Sequence, residues 1–118
     1  MIDLDRDTAF ASKMLDVLSL RTKTAIHNIA NQNVPGFKRS EVHFEDALRE
    51  AQQQQGEGVD VNTIEPELVR DNSGAPDQNN VVLMEELAIL GKTSMLHDVM
   101  TRRAGSYYST LNKAIFGR

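Results

Sequence analysis

The chain has 118 residues, 40% of them apolar; Phe and Tyr together number six, and there is no Trp and no Cys. That suffices for one domain with a small core, and it removes disulfides, thiolate nucleophiles and cysteine-based zinc sites. The net charge of −4 is unevenly distributed, with +2 in residues 1–39, −8 in 40–80 and +2 in 81–118. The middle repels a phosphate backbone, and neither end forms the dense basic stripe of a nucleic-acid binder.

Met1 to Asp7 alternates charged with apolar residues and leads into no uncharged apolar run, which predicts neither a secretory signal nor a membrane span. From there Leu4, Thr8, Ala11, Leu15, Leu18, Thr22, Ala25 and Ile29 recur in alternating steps of four and three. That is a coiled-coil period, and Phe10, Met14, Val17 and Ile26 widen its stripe. The helix runs into Asn28-Ile29-Ala30-Asn31-Gln32-Asn33-Val34-Pro35-Gly36-Phe37-Lys38. Pro35 removes a backbone donor and Gly36 permits positive φ, so a type II turn is expected, with Phe37 folding back as an apolar anchor. Asn28 and Asn31 share one helical face. Their amides either fix register against neighbours or serve as ordinary helix-end residues that tolerate left-handed geometry.

The middle opens with a short helical stretch, Phe44 to Ala51, and passes into Gln52 to Gly58, which reads as a mobile linker. Val59, Val61 and Thr63 alternate with polar residues, Pro66 interrupts, and Asp71 to Pro76 supplies turn chemistry, so one or two short strands are expected. The last segment carries a seam at Leu83, Leu87, Leu90, Thr93, His97, Met100, Ala104, Tyr107, Leu111 and Ala114. An extra three-residue step at Leu90–Thr93 and a weak helix former at Gly91 predict one long helix with a soft spot. The predicted fold is mainly α, two long terminal helices packed as an antiparallel coiled-coil-like pair around a small polar insertion. Its organisation is 1–39, helix and Asn-rich turn; 40–80, acidic insertion; 81–118, C-terminal helix, with the two ends forming one helical core. In this arrangement Leu15, Leu18, Ala25 and Ile29 pack against Leu87, Leu90, Met100, Tyr107 and Leu111, and Asn28, Asn31 and the Pro35-Gly36 turn meet neighbouring subunits.

Catalytic patterns are absent from the sequence. His43 and Glu45 stand two apart, which on a helix faces them in different directions, and a zinc site needs three protein ligands. His97 falls on the apolar seam as a packing residue, and Glu85-Glu86 read as acids favoured by the helix dipole. With no phosphate loop and no nucleophile elbow, no enzymatic activity, cofactor, metal or small-molecule substrate is expected. A hydrolytic site in 40–80 using His43 or Glu45 is the weakest alternative.

The run from Asn28 to Lys38 resembles the N-terminal signature of flagellar axial proteins, Asn-Ile-Ala-Asn-x-x-Thr-Pro-Gly-Tyr-Lys, with Val34 and Phe37 in place of Thr and Tyr. Asn28, Ile29, Ala30, Asn31, Pro35, Gly36 and Phe37 carry the match. Asn79-Asn80-Val81-Val82-Leu83-Met84-Glu85-Glu86-Leu87 is similar to the FlgB-family pattern Asn-x-Val-Asp-x-x-x-Glu-Met, with Val82 for Asp and Leu87 for Met. Arg103 to Ser109 does not match the FlgC-type spacing, which is the alternative within the class; a soluble helical adaptor or export chaperone is the alternative outside it. The resemblance implies a structural subunit of the proximal rod, exported unfolded by the flagellar type III system without a cleaved signal. It also implies self-association and contact with FlgC-, FlgF- and FliE-type rod proteins, the FliF-type inner-membrane ring and the export gate.

Overall fold

The computed structural model describes residues 4–117, and the chain is mainly helical. Helix α1 spans Leu4–Ala30, strand β1 Ser40–His43, helix α2 Glu45–Gln55, strand β2 Glu67–Arg70 and helix α3 Leu83–Phe116, with one-turn 3₁₀ helices at Gly56–Gly58 and Val61–Thr63. The two strands pair antiparallel, Ser40 opposite Arg70 and His43 opposite Glu67. Asp71 N–H extends the ladder to the Arg39 carbonyl at 2.9 Å.

Local chemistry sets the ends of each helix. Asp5 and Asp7 lie in the first turn of α1 and Glu85 and Glu86 in that of α3, where carboxylates complement the helix dipole. At the far end of α1 the ladder tightens, as the N–H groups of Asn31 and Gln32 bond to the carbonyls of Asn28 and Ile29 at 3.1 Å. The expected turn follows. Gly36 has φ +75°, and Phe37 N–H donates to the Val34 carbonyl at 3.2 Å, the geometry of a type II turn in which only glycine is unstrained at the third position. Helix α3 runs unbroken through Gly91 and stops at Gly117, whose φ of 68° closes a bond from its N–H to the Lys113 carbonyl at 2.9 Å.

Asn28, near the end of α1, meets Glu86, near the start of α3, while Met100 packs against the cluster that holds Met14 and Val17, closer to the start of α1. The long helices are therefore antiparallel, as predicted. Their mutual face matches the seam read from the sequence only in part. On α3 the buried residues are Glu86 and Thr93, continued by half-buried Met100 and Tyr107, a regular spacing of seven with no extra step. Leu90 is half-buried, but Leu87 and Leu111 are 45% and 40% exposed, and His97 is exposed too. A heptad reading passes over Glu86 because it is charged; Arg39 neutralises it, so a carboxylate takes the seam position. On α1 Leu18 and Ala25 are buried and Leu15 and Ile29 half-buried.

The apolar core lies beside that seam. Met14 and Val17 of α1 close on Val42, Phe44 and Leu48 from β1 and α2, with Phe10, Leu20, Val61, Ile64 and Met100 around them. The segment 40–80 thus contributes to the core a fully buried Phe44, worth about 2–3 kcal/mol by area. The short strands expected in that segment are present, but their placement and the reading of the Gln-rich tract are corrected. The strands stand at 40–43 and 67–70, flanking the alternating run at 59–63, whose Val61–Thr63 forms a 3₁₀ turn capped by the Asp60 side chain. Gln52–Gln55, expected as linker, continues α2, since glutamine is a good helix former and Leu48 anchors the preceding turn.

The molecule is extended, 61 × 32 × 15 Å, with a radius of gyration of 17.9 Å where a compact domain of this length would have about 13.5 Å. Its accessible surface is 8112 Å² against roughly 6,400 Å² for a compact monomer of this mass. The excess lies along α3, where Met84, Met95, Val99, Ile115 and Phe116 stand in solvent.

Candidate functional site

Where the end of α1, the Pro-Gly turn, β1 and the start of α3 converge, the chain builds a buried polar clamp. Asn28 is fully buried. Its Nδ2 donates to the Ser40 carbonyl at 2.9 Å and its Oδ1 accepts from Ser40 N–H at 3.0 Å, so one amide treats the first residue of β1 as a strand partner would. The same Nδ2 lies 3.3 Å from Glu86 Oε2. Glu86, also 0% exposed, accepts from Arg39 Nε at 2.6 Å. Arg39 reaches Glu41 and, at 3.4 Å, Asp71 as well, so one guanidinium ties α3 to both strand ends.

Lys38, next along the chain, is buried with its ammonium on three carbonyls, Ser73 at 3.1 Å and Ala75 and Gln78 at 2.6 Å each. Those are the three donors an ammonium has, and they fold the 73–78 loop around it. Asn79 Nδ2 donates to the carbonyls of Asn31 and Val34 at 2.8 and 2.7 Å, and its Oδ1 accepts from Val81 N–H at 2.8 Å. Asn80 Oδ1 accepts from Arg39 N–H at 2.7 Å. The segment that starts α3 is thereby tied to the carbonyls of the turn that follows α1. Among the described residues no buried side-chain nitrogen or oxygen lacks a partner.

The electrostatics follow the same contacts. Burial alone lowers the Arg39 pKa, but hydrogen bonds to Glu86 and Glu41 outweigh it and hold the guanidinium above its ordinary value. Glu41 is held below the usual carboxylate range by hydrogen bonds from His43 and then Arg39, and Glu45 by its pair with Arg21. Beside the clamp a groove of about 400 Å³ opens between α1, β1 and α3, with Arg21, Thr24, Glu45, Lys92 and Leu96 on its walls. Among the described residues no group of three His, Cys, Asp or Glu side chains could hold a metal, and no helix is long and apolar enough to cross a membrane.

Of the signature residues, Asn28 is turned fully inward. The expectation that the Asn28 amide meets a neighbouring subunit is corrected, because the chain itself encloses it. Asn31 is half-buried and spends one amide N–H on its own helix, its Nδ2 bonding to the His27 carbonyl at 2.8 Å. Ile29 is half-buried and Ala30 exposed. Val34 and Pro35 are exposed, and half-buried Phe37 folds back edge-on against His27, ring centroids 5.7 Å apart. Glu86, Arg39 and Lys38 escaped the sequence reading as clamp residues. Their signal is an acid at a seam position and a Lys-Arg pair directly after the Pro-Gly turn, which composition alone assigns to the surface.

No family model matches the chain. It is 30% identical over 132 aligned positions to the flagellar basal body rod protein FlgB of Borreliella burgdorferi, covering 95% of this chain and 97% of that protein. It is 41% identical over 58 residues to FlgB of Aeromonas hydrophila, 49% of this chain and 44% of the relative, and 54% identical over 41 residues to FlgB of Borrelia hermsii, 35% and 30%.

Proposed function

The chain belongs to the FlgB family of flagellar basal body rod proteins, and on that premise we propose that it is a structural subunit of the proximal rod, not an enzyme. The observation that carries this reading is a match over 95% of this chain and 97% of a FlgB relative. In this role the subunit leaves by the flagellar type III route without a cleaved signal. It joins FlgC-, FlgF- and FliE-type rod proteins on the FliF-type ring and packs helically with them to pass torque outward. The extended shape supports the reading, since a subunit with this much uncovered surface gains stability when neighbours bury it. The clamp's part is internal, holding the ends of α1 and α3 in one register so that their outer faces arrive in fixed relation. Of the signature, the exposed Val34-Pro35 corner is left to meet a neighbour.

The test is complementation of a strain lacking its own rod subunit of this type, with the tagged chain located by imaging of purified basal bodies. Density at the base of the rod with restored motility is expected; a motile strain whose basal bodies lack the tag overturns the reading. Leu111→Glu, on an exposed site, is expected to reduce motility with little change in subunit stability.

A further inference from the structure

The outer faces of α1 and α3, the sides turned away from each other, carry matching patterns. On α1, Asp5, Ser12, Asp16, Ser19, Lys23 and Ala30 are all exposed and lie in helical steps down one side, opposite buried Ala11, Leu18 and Ala25. On α3 the stripe opposite the buried Glu86–Thr93 face starts apolar, with Met84, Ala88, Gly91 and Met95, and ends basic, with Arg102 and Lys113. Asp5 and Asp16 are eleven residues apart, and so are Arg102 and Lys113, three helical turns in each case.

We propose that a second copy of this chain docks its α1 outer face on the α3 outer face of the first, antiparallel, with Asp16 on Arg102 and Asp5 on Lys113. This register follows from the charges alone, and the rest of both stripes then falls into place. Ser12 comes opposite Ser106 and Ser19 opposite Val99. The 72%-exposed Met95 enters the hole framed by Ser19, Lys23 and exposed Ile26. Met84, 73% exposed, reaches exposed Val34 beyond the helix end. Asp98, flanking the stripe, comes within one turn of Lys23. Gly91, with open space where a Cβ would stand, lets the backbones approach. Two α3 faces set against each other leave Arg102 and Lys113 with no partner but the flanking Asp98, and two α1 faces offer only Ile26 as a large apolar contact.

The two faces differ, so the contact is heterologous and each docked copy presents the same free face again: association continues and does not stop at a dimer. The apolar part of the α3 stripe, Met84, Ala88, Gly91 and Met95, is small, whereas a stable specific pair buries about 800 Å² per partner. A single contact is therefore weak, and repetition makes it persist. The inference rests on the assembly reading above for its setting, while its geometry is tested on the purified protein.

The chain has no cysteine, so Ser12→Cys and Ser106→Cys are nearly isosteric probes. Under mild oxidation at low salt, a mixture of the two single variants is expected to give a covalent dimer that neither forms alone. The doubly substituted chain is expected to give a ladder of higher species. Arg102→Glu in the Ser106→Cys chain lowers the mixed-dimer yield by about fivefold, and Asp16→Arg in the Ser12→Cys chain restores it. A Ser106→Cys chain that pairs with itself, a double variant that closes at the dimer, or no mixed dimer at all overturns the proposal. Charge variants that lose cross-linking yet build normal basal bodies overturn this face and leave the rod-subunit reading standing; failure of the unsubstituted chain to enter basal bodies sinks that reading alone.

Discussion

Removing Arg39 should be the most damaging single change in the clamp. Glu86 is 0% exposed, and its side chain is held by Arg39 Nε at 2.6 Å and the Asn28 amide at 3.3 Å. In Arg39→Met the carboxylate keeps only the long neutral bond, and an uncompensated buried charge costs about 3–5 kcal/mol. Glu86→Leu is milder. Arg39 then still holds Glu41 and Asp71, both partly solvated, so the loss is one charged hydrogen bond, about 1.5–3 kcal/mol. The double variant Arg39→Met/Glu86→Leu removes both charges and should be no less stable than Glu86→Leu alone, a coupling of a few kcal/mol between the sites. Urea unfolding followed by helical circular dichroism measures each step. An Arg39→Met loss below about 1 kcal/mol with an unchanged m-value, or simple additivity in the double variant, would refute the assignment of Arg39–Glu86 as a coupled buried pair.

Two glycines should respond in opposite directions in the same assay. Gly36→Ala forces an L residue to φ +75° and should cost about 1–2 kcal/mol, whereas Gly91→Ala, with nothing within 4 Å of the new Cβ, should gain about 0.5–1 kcal/mol from helix propensity, while hindering assembly if the inferred face is used. Acid should weaken the fold in a defined window. The carboxyls of Glu41 and Glu45 sit below their ordinary value of 4.5, so their contribution is complete above about pH 4.5 and fades as the pH falls through the depressed folded values; Glu45→Gln should flatten that part of the stability profile. Hydrogen exchange should find the amides of α1 around Val17–Asn28 the most protected and those of α3 beyond Tyr107, which are exposed along most of their length, the least.

Much of the architecture was legible because it rests on periodicity and turn chemistry. The four-three seam of α1, the Pro35-Gly36 turn and the long last helix follow from local residues, and each stands where the pattern put it. The misread parts depend on contacts between distant residues. Glu86 takes a seam position only because Arg39 comes back across 47 residues of chain to meet it, so the α3 register could not be set from α3 alone. The strands at 40–43 and 67–70 are four residues each and half-polar; what fixes β1 is the Asn28 amide bonding both backbone groups of Ser40, a cue invisible to an alternation test. Asn28 and Asn31 drew notice for their spacing, but whether an amide faces a neighbour or its own chain is decided by what folds over it.

The same contacts explain the lopsided charge. The −8 of the middle segment is not simply displayed to partners, because cations from residues 1–39 are set into it: Lys13 on Glu65 at 3.3 Å, Arg21 on Glu45, and Arg39 on Glu41 and Asp71. Each exposed pair is worth only about 0–1 kcal/mol, but together they orient the middle segment against α1 while Phe44 and Leu48 supply the burial. High salt should therefore loosen residues 45–65 before it touches the Arg39–Glu86 pair, which is shielded from screening by its burial. The acids that remain in solvent on the outer side of α1, Asp5 and Asp16, lie outside that network and are free to select what docks there.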